Sequence, residues 1–312
     1  MRKICLVGGT GYVGGHLASR LSAPKRELRV LCRNPGARRD VSAVPGVRVQ
    51  ALDVYDSQAL ARSFEGADAV INLVGILNES GNNGAGFHRA HVTLLESVIE
   101  ACNQAGVERF LQMSALNAGK GDSFYQKSKG DAEARLKQSD LDWTIFQPSV
   151  IFGPDDSFLN RFADLLKLAP VLPLACPNAR FQPVYVGDVA DAFALALEQR
   201  DTVGRSLELV GPNTYTLREL VSYVRDSLGL RRWIIGLPRW AARLQAAVFD
   251  FVPGKPFSSD NFKSLQIDSV SSNNALPGLG ISPTPLEAIA PRYLGQGSRA
   301  ARYQSMRRHA GR

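Results

Sequence analysis

The sequence predicts an α/β fold, a doubly wound parallel sheet with a smaller C-terminal lobe, and three observations indicate it. An apolar run at residues 4–7 leads through glycines into helical spacing at 16–21. Strand-like and helix-like stretches then alternate as far as about residue 150. Beyond Pro148 prolines accumulate and the alternation loosens. Strands separated by helices form right-handed crossovers, which build parallel sheets covered by helices.

The first strand turns into the first helix through three glycines. The apolar residues before the turn suit a buried strand of a parallel sheet. One glycine permits the tight turn, one lets the backbone approach a pyrophosphate, and one lets helix and strand pack closely. The helix N-terminus offers free N–H groups and a positive dipole end to phosphates. A plain βα turn is the alternative interpretation. The predicted phosphate-binding residues are Gly8, Thr10, Gly11, Tyr12, Val13 and Gly14.

The later elements follow the same alternation. Strands are predicted at 27–32, 47–52, 69–74, 109–113 and 143–146, and helices at 57–64, 87–105, 124–138 and 217–228. We expect residues 1–150 to form a Rossmann-type dinucleotide-binding domain, to which 181–211 return. Residues 151–180 and 212–296 are expected to form the smaller substrate lobe, and 297–312 a basic, disordered tail.

Composition and charge favour a globular protein of the cytoplasm. The chain has 312 residues and a net charge of +8, and its last segment carries five arginines and no acidic residue. Such a tail contacts nucleic acid or anionic lipid in some proteins and is merely solvated in others; we expect no nucleic-acid partner. The four cysteines show neither metal-site pairing nor the density of a disulfide scaffold.

Three further strand ends are predicted to contact a nucleotide. Arg33 follows the second strand, where an acidic residue would bind a free ribose 2′-hydroxyl and an arginine suits a 2′-phosphate. NADP(H) is therefore the preferred cofactor, with NAD(H) left open. Asp53 and Val54 follow the third strand, and Asn72, Leu73, Val74 and Gly75 end the fourth. These positions flank the adenine and its ribose in a groove of dinucleotide length.

A Tyr-x-x-x-Lys pair supplies the predicted chemistry. Tyr125 and Lys129 lie four residues apart and share one face of a helix. The lysine ammonium can lower the pKa of the phenol, which then acts as acid or base during hydride transfer. Ser114, after the fifth strand, is predicted to polarise a carbonyl.

These motifs resemble the extended and atypical short-chain dehydrogenase/reductase superfamily over almost the whole chain. The likeness rests on the glycine turn, Asn72, the Tyr125–Lys129 pair, Gln147-Pro148 and the VYVGDVA segment at 184–190. Within that superfamily, QMSALNA, FQPSVIFGP and FQPVYVGDVADA are similar to the atypical branch that contains the NAD(P)H-binding accessory subunit of respiratory complex I and its bacterial relatives.

The resemblance implies a tightly bound nucleotide, commonly NADPH, with Lys129 and Pro148 among its contacts. It also implies association with quinone or membrane systems, and several members of this branch are not established catalysts. Active extended members carry a serine or threonine as the second residue of a pair, where this chain has Ala115 after Ser114. Ser123 is the alternative. The short gap from Ser114 to Tyr125 disfavours sugar-nucleotide epimerase activity.

Two other features carry weaker expectations. His88 and His91 lie three apart without a carboxylate or cysteine at ligand spacing, so we expect a helix-surface role and no metal site. The helix that begins near Pro238 places Trp240 on an apolar stripe with leucine, valine and phenylalanine. That stripe either packs inward or lies in a membrane interface.

Two functional hypotheses remain. The first is an NADP(H)-dependent oxidoreductase acting on a carbonyl or quinone-type small molecule. The second is a non-catalytic NADPH-binding accessory or sensing module of a complex I-like or quinone-biosynthesis assembly. In that second case, the protein would be cytoplasmic and peripheral at the inner face of the membrane.

Overall fold

The computed structural model describes residues 1–37, 39–252 and 255–295. The predicted basic tail at 297–312 lies outside the described residues. The chain forms two compact units. The first unit comprises residues 1–148, 187–209 and 273–281, and the second comprises 149–186, 210–272 and the residues from Ser282 onward.

A seven-stranded parallel sheet is the frame of the first unit. Its strands are β1 (Lys3–Val7), β2 (Glu27–Cys32), β3 (Val47–Ala51), β4 (Ala69–Asn72), β5 (Arg109–Met113), β6 (Asp142–Pro148) and β11 (Arg205–Leu209). The strand order is β11-β6-β5-β4-β1-β2-β3, and all neighbours run parallel. The order reverses between β1 and β4, where the carboxyl ends of the strands open a crevice for ligands. The predicted doubly wound sheet is confirmed.

Helices connect these strands. They are α1 (Tyr12–Leu21), α2 (Arg39–Ser42), α3 (Ser57–Phe64), α4 (Ala85–His88), α5 (Leu94–Ala105), α6 (Phe124–Lys137) and α8 (Val186–Glu198). The helices predicted at 57–64 and 124–138 are confirmed to within one residue. The helix predicted at 87–105 is interrupted, because a π-helical turn, Arg89–Thr93, separates α4 from α5.

The core of the first unit explains the unbroken apolar runs of its central strands. Every residue of β4 and β5 is buried, because helices cover such a sheet on both faces. Phe64 of α3, Val98 of α5 and Leu136 of α6 pack in one cluster with Phe110 of β5. Phe193 of α8 stacks on Phe146 of β6 with ring centroids 3.9 Å apart.

Two segments lie differently from the expected division. Of the returning segment 181–211, only residues 187–209 belong to the first unit. Residues 273–281, expected in the lobe, also belong to it. The Ala275 N–H donates to the carbonyl of Glu208 at 2.9 Å, so this segment satisfies a backbone group of the edge strand β11.

The second unit contains helices and three two-stranded sheets. The sheets pair β7 (Ile151–Phe152) with β10 (Val184–Tyr185), β8 (Val171–Leu174) with β13 (Trp233–Gly236), and β9 (Arg180–Phe181) with β12 (Tyr215–Thr216). The helices are α7 (Leu159–Leu168), α9 (Leu217–Ser227), α10 (Arg239–Phe249), α11 (Ser259–Ser264), α12 (Leu286–Ile289) and α13 (Pro291–Leu294). Their apolar side chains form a separate core around Phe152, Leu166 and Leu220.

The apolar stripe predicted on α10 faces outward. Ala242 and Ala246 are the buried residues of this helix, while Trp240, Leu244 and Val248 are exposed. The interpretation that the stripe packs inward is wrong, since the two alanines form the inner face. Among the described residues, no helix has the length and hydropathy needed to cross a bilayer.

Candidate functional site

The glycine turn joins β1 to α1 in a closed backbone loop. Gly8 has φ of +77°, a conformation that side chains with a Cβ rarely adopt. Its N–H donates to the carbonyl of Leu31 at 3.0 Å, and its carbonyl accepts from the Gly11 N–H at 3.0 Å. The turn is therefore anchored to β2 and closed on itself.

Two of the glycines permit close packing. A Cβ at Gly14, in the first turns of α1, would overlap the backbone of Gly9. A Cβ at Gly8 would lie 2.8 Å from Cγ2 of Val74, in the loop after β4. Both approaches require glycine, because a methyl group would force helix or loop away from the turn.

The N-terminus of α1 suits a phosphate. Gly11 is its N-cap, no side chain caps the helix, and its first turn contains no acidic residue. Backbone N–H groups and the positive end of the helix dipole are therefore available to an anion. Thr10 and Val13 flank this end and are half-buried, and Tyr12 packs edge-on against His16 at 5.4 Å. The cradle fits the pyrophosphate of a dinucleotide.

The loop after β4 lies between the glycine turn and α6. The Asn72 side-chain amide donates to Oε1 of Gln112 at 3.0 Å, and its Oδ1 accepts from the Val74 N–H at 3.1 Å. Leu73 donates its N–H to the carbonyl of Val7 at 2.9 Å. A Cβ at Gly75 would lie 3.2 Å from Nζ of Lys129. The loop thus joins the predicted phosphate site to the predicted catalytic helix.

Lys129 is a buried cation on α6. Its Nζ donates to the carbonyl of Met113, at the end of β5, at 3.3 Å. Burial lowers the pKa of Lys129 to about 8, with the carboxylate of Glu133 opposing the shift. The Lys129 side chain is therefore mostly protonated at neutral pH and loses its proton in mildly alkaline solution.

Tyr125 lies one turn before Lys129 in an aromatic setting. Its ring meets those of Phe87 and His91 edge-on, with centroids 6.0 Å and 5.6 Å away. Burial raises the pKa of Tyr125 to about 12. The predicted lowering of this pKa by Lys129 is wrong for this structure, because desolvation of a phenolate dominates. The phenol holds its proton at neutral pH, which is the state of a general acid.

His91 is the residue of this site whose role the sequence interpretation missed. It is buried, whereas His88 is exposed, so the predicted surface role of His91 is wrong. Its Nε2 accepts from the Ile76 N–H at 3.2 Å, and its Nδ1 lies 2.8 Å from Oγ of Ser128. Burial, followed by the charge of Lys129, lowers the pKa of His91 to about 2.

The neutral His91 ring therefore carries its proton on Nδ1 and donates it to Ser128. Oγ of Ser128 donates in turn to the carbonyl of Tyr125 at 3.0 Å. This chain of hydrogen bonds joins the loop after β4 to the first turn of α6. The apolar neighbours Ala90 and Val92, and Phe87 four residues earlier, were the sequence signal for burial.

Among the described residues, no group of three potential metal ligands occurs.

Both candidate serines direct their protons to side chains of α6. Ser114 is buried, and its Oγ donates to Oε1 of Glu133 at 2.6 Å. Glu133 also accepts from Nε2 of Gln147 at 2.8 Å. Ser123 is the N-cap of α6, and its hydroxyl donates to Oε1 of Gln126 at 2.9 Å. A hydroxyl proton given to these oxygens is not presented to a substrate carbonyl, so this geometry does not support the predicted role of Ser114.

The remaining predicted contacts lie at the carboxyl ends of strands in the same sheet. Arg33 follows β2 and is exposed. Asp53, after β3, accepts from the Tyr55 N–H at 3.0 Å, and Val54 is buried, so only its backbone is available to a ligand. Pro148 ends β6, and its carbonyl accepts from the Leu116 N–H at 2.9 Å.

Comparisons with known proteins agree with this geometry. A family model described as NAD(P)H-binding matches residues 8–157. NADH dehydrogenase (ubiquinone) 1 alpha subcomplex subunit 9, mitochondrial, of Rattus norvegicus is 32% identical over 242 residues, which cover 75% of this chain and 63% of that protein. The match to the family model shows that the chain contains an NAD(P)H-binding domain. The chain spans less than two thirds of the rat protein.

Two further similar proteins are a reductase and an epimerase. The chain is 28% identical over 240 residues to a ceramide reductase of Caulobacter vibrioides, covering 75% of this chain and 73% of that protein. The crystal structure of a UDP-glucose 4-epimerase from Thermotoga maritima superposes with a TM-score of 0.76 at 16% identity, covering 94% of this chain and 97% of that chain. The latter likeness concerns the fold alone.

The packing at Gly14 predicts a specific loss of stability. Gly14→Ala should lower the free energy of unfolding, measured by urea titration, by roughly 1–3 kcal/mol, because the methyl group overpacks the turn. Gly278→Ala is the matched control, since a Cβ there meets nothing within 4 Å. Equal stabilities of the two variants would contradict this account.

The lowered pKa of Lys129 predicts a pH dependence of nucleotide binding. An ammonium that holds nucleotide hydroxyls needs its proton, so affinity for NADPH should fall as pH rises through about 8. The fall should reach roughly tenfold per pH unit at most, measured by calorimetry. Lys129→Met should weaken binding and remove the dependence, whereas Lys127→Met, on the exposed side of α6, should retain both. An affinity of the native protein that does not change above pH 8 would contradict the assignment.

Proposed function

We propose that this protein is an NADP(H)-dependent reductase of a carbonyl or quinone-type small molecule. The observation that carries the proposal is the Tyr125–Lys129 pair on α6, beside the loop after β4. The same loop contacts the glycine turn at Gly8. Gly75 of that loop approaches Nζ of Lys129, so the loop lies against both the phosphate cradle and α6. The ceramide reductase similarity supports the same class of reaction.

Each residue of the site would have its own role in the reduction. A bound nicotinamide would supply or accept the hydride. Lys129 would hold the nicotinamide ribose, and Tyr125 would give its proton to the carbonyl oxygen. Because its pKa is about 12, the phenol is protonated before the reaction, which favours the reductive direction. The ammonium of Lys129 would stabilise the phenolate that forms.

Tyr125 would also orient the substrate. In many catalytic sites a second hydroxyl polarises the carbonyl, but Ser114 gives its proton to Glu133. We therefore assign both hydrogen bonding and protonation of the carbonyl to Tyr125. The His91–Ser128 chain would fix the position of the Tyr125 backbone while this happens.

The cofactor preference rests on Arg33. It is exposed at the carboxyl end of β2, the strand end that meets the adenosine ribose in sheets of this topology. A guanidinium there would pair with a 2′-phosphate through charge-assisted hydrogen bonds. NADP(H) is therefore the proposed cofactor.

A second candidate function is an NADPH-binding accessory or sensing module of a complex I-like or quinone-biosynthesis assembly. Two observations favour it: the engagement of Ser114 by Glu133, and the similarity to a protein named as a subunit of a ubiquinone-linked NADH dehydrogenase. In such a module the nucleotide would stabilise the fold or report its own redox state. The protein would then act in the cytoplasm, peripheral at the inner face of the membrane.

Removal of the Tyr125 hydroxyl separates the two candidates. Tyr125→Phe should reduce NADPH oxidation by carbonyl or quinone compounds about 100-fold or more, with nucleotide affinity unchanged, since only proton transfer is lost. Tyr223→Phe, in α9 of the second unit, is the control and should retain activity. Turnover by Tyr125→Phe at the native rate would exclude the proposed acid, and a native protein that oxidises no NADPH would favour the accessory module.

Removal of the Arg33 side chain tests the cofactor preference. Arg33→Ala should weaken NADPH binding by about tenfold or more and leave NADH binding nearly unchanged, because only NADPH carries the 2′-phosphate. Arg62→Ala, an exposed arginine of α3, should change neither affinity. Equal losses for the two nucleotides on Arg33→Ala would refute the preference for NADP(H).

A further inference from the structure

Exposed large apolar side chains are concentrated in one part of the second unit. Among the described residues, all of them except Met1 and Leu77 lie between residues 168 and 252. Six of them, contributed by β13, α10 and the turn after α10, are named here the apolar patch: Trp233, Ile235, Trp240, Leu244, Val248 and Phe251. Large contiguous apolar surfaces on a folded protein mark contact with a partner or a membrane.

Helix α10 presents one half of the apolar patch. Trp240, Leu244 and Val248 are 72%, 59% and 55% exposed, and they recur along one side of the helix. Phe251, just past the end of the helix, is 85% exposed. The opposite side is made of alanines, and Ala242 and Ala246 pack in a small cluster with Phe262. The large side chains are therefore directed outward by the packing of the small ones.

The ribbon of β8 and β13 presents the other half. Trp233, which is 75% exposed, lies opposite Val171, and Ile235 lies opposite Pro173 in the parallel register. Alternate residues of β8 point the other way and are buried in the core of the second unit. Both faces of this ribbon are thus apolar, although only one is covered.

The helix and the ribbon are neighbours. Nε2 of Gln245, which follows Leu244 in α10, donates to the carbonyl of Pro173 in β8 at 3.4 Å. Ala175, just past the end of β8, packs with Ala242 and Ala246. The two halves are therefore adjacent within the second unit.

Positive charge predominates along the segment that supplies most of the apolar patch. Residues 227–249 carry four arginines and no aspartate or glutamate, and Asp250, next to Phe251, accepts a hydrogen bond from the Ser259 N–H at 3.0 Å. Arg231, Arg239 and Arg243 are exposed. Tryptophan and arginine together are typical of segments that lie at the boundary between headgroups and acyl chains, where anionic lipids attract the cations.

We propose that the apolar patch docks the protein on an anionic lipid bilayer. The tryptophan and aliphatic side chains would enter the boundary between headgroups and acyl chains, and Arg239 and Arg243 would contact the anionic headgroups. Helix α10 has 11 residues, about half the length that spans a bilayer, so it would lie in the plane of the surface. This proposal does not depend on whether the nucleotide site is catalytic.

The three tryptophans of the chain allow a direct test with the full-length protein. Trp143 lies in β6 of the first unit, so Trp143→Phe leaves only the two tryptophans of the patch. With phosphatidylcholine vesicles containing phosphatidylglycerol, the emission of this variant should shift to the blue and be quenched by brominated acyl chains. The protein should sediment with these vesicles and not with pure phosphatidylcholine. A supernatant protein with unchanged emission would overturn the proposal.

Variants of the patch assign the binding to its residues. Trp240→Ser with Leu244→Ser should lower vesicle partitioning at least tenfold, and Arg239→Gln with Arg243→Gln should lower it about 25-fold at low salt. Leu77→Ser, an exposed apolar residue of the first unit, is the matched control and should bind as the native chain does.

Other occupants of the patch give distinct results. If both double variants sediment like the native protein, another segment such as the basic residues 297–312 holds the lipid, and the proposal is wrong. A native dimer that dissociates on Trp240→Ser with Leu244→Ser, measured by sedimentation velocity without any vesicle binding, would assign the surface to a second copy of the chain. The arginine variant retains every apolar contact, so it remains informative if the serine variant does not fold.

Discussion

The close approach of backbone to backbone at the glycine turn is the constraint on which the site depends. Gly14 lets α1 pack against Gly9, and Gly8 lets the loop after β4 pack against the turn. These contacts place a helix N-terminus and a strand end side by side at the point where the strand order reverses. Because neither approach leaves room for a Cβ at the glycine, the backbone of the turn stays accessible beside the helix N-terminus, which suits a polyanionic ligand.

Burial determines the protonation states of the side chains near this turn. The pKa of Tyr125 is raised to about 12, that of Lys129 is lowered to about 8, and that of His91 is lowered to about 2. Each shift has the same main cause, since a poorly solvated site disfavours any charge. At neutral pH these three side chains therefore carry one charge, the ammonium of Lys129, and the Glu133 carboxylate lies near enough to favour that ammonium. A cation in a poorly solvated setting acts strongly on an anion that forms next to it.

Local patterns predicted the sheet, the glycine turn and the Tyr125–Lys129 pair, because strand and helix periodicity and motif spacing involve neighbouring residues. Long-range contacts decided what was missed. The partner of Ser114 is Glu133, 19 residues away on α6, and no local pattern links them. The partners of His91 are Ile76 and Ser128, which are 15 and 37 residues away in the chain. The periodicity of α10 identified an apolar side, but only the packing of its alanines determines that this side faces outward.

Hydride transfer itself tests the central claim most directly. NADPH deuterated at C4 of the nicotinamide should lose its label to the carbinol carbon of a product when the native chain is incubated with aldehydes, ketones and long-chain carbonyl lipids. The account predicts transfer by the native chain and by Tyr223→Phe, and almost none by Tyr125→Phe. If bound NADPH keeps its deuterium with all of these carbonyl compounds and with quinones, the proposed hydride transfer is contradicted and the chain is a nucleotide-binding module without this chemistry.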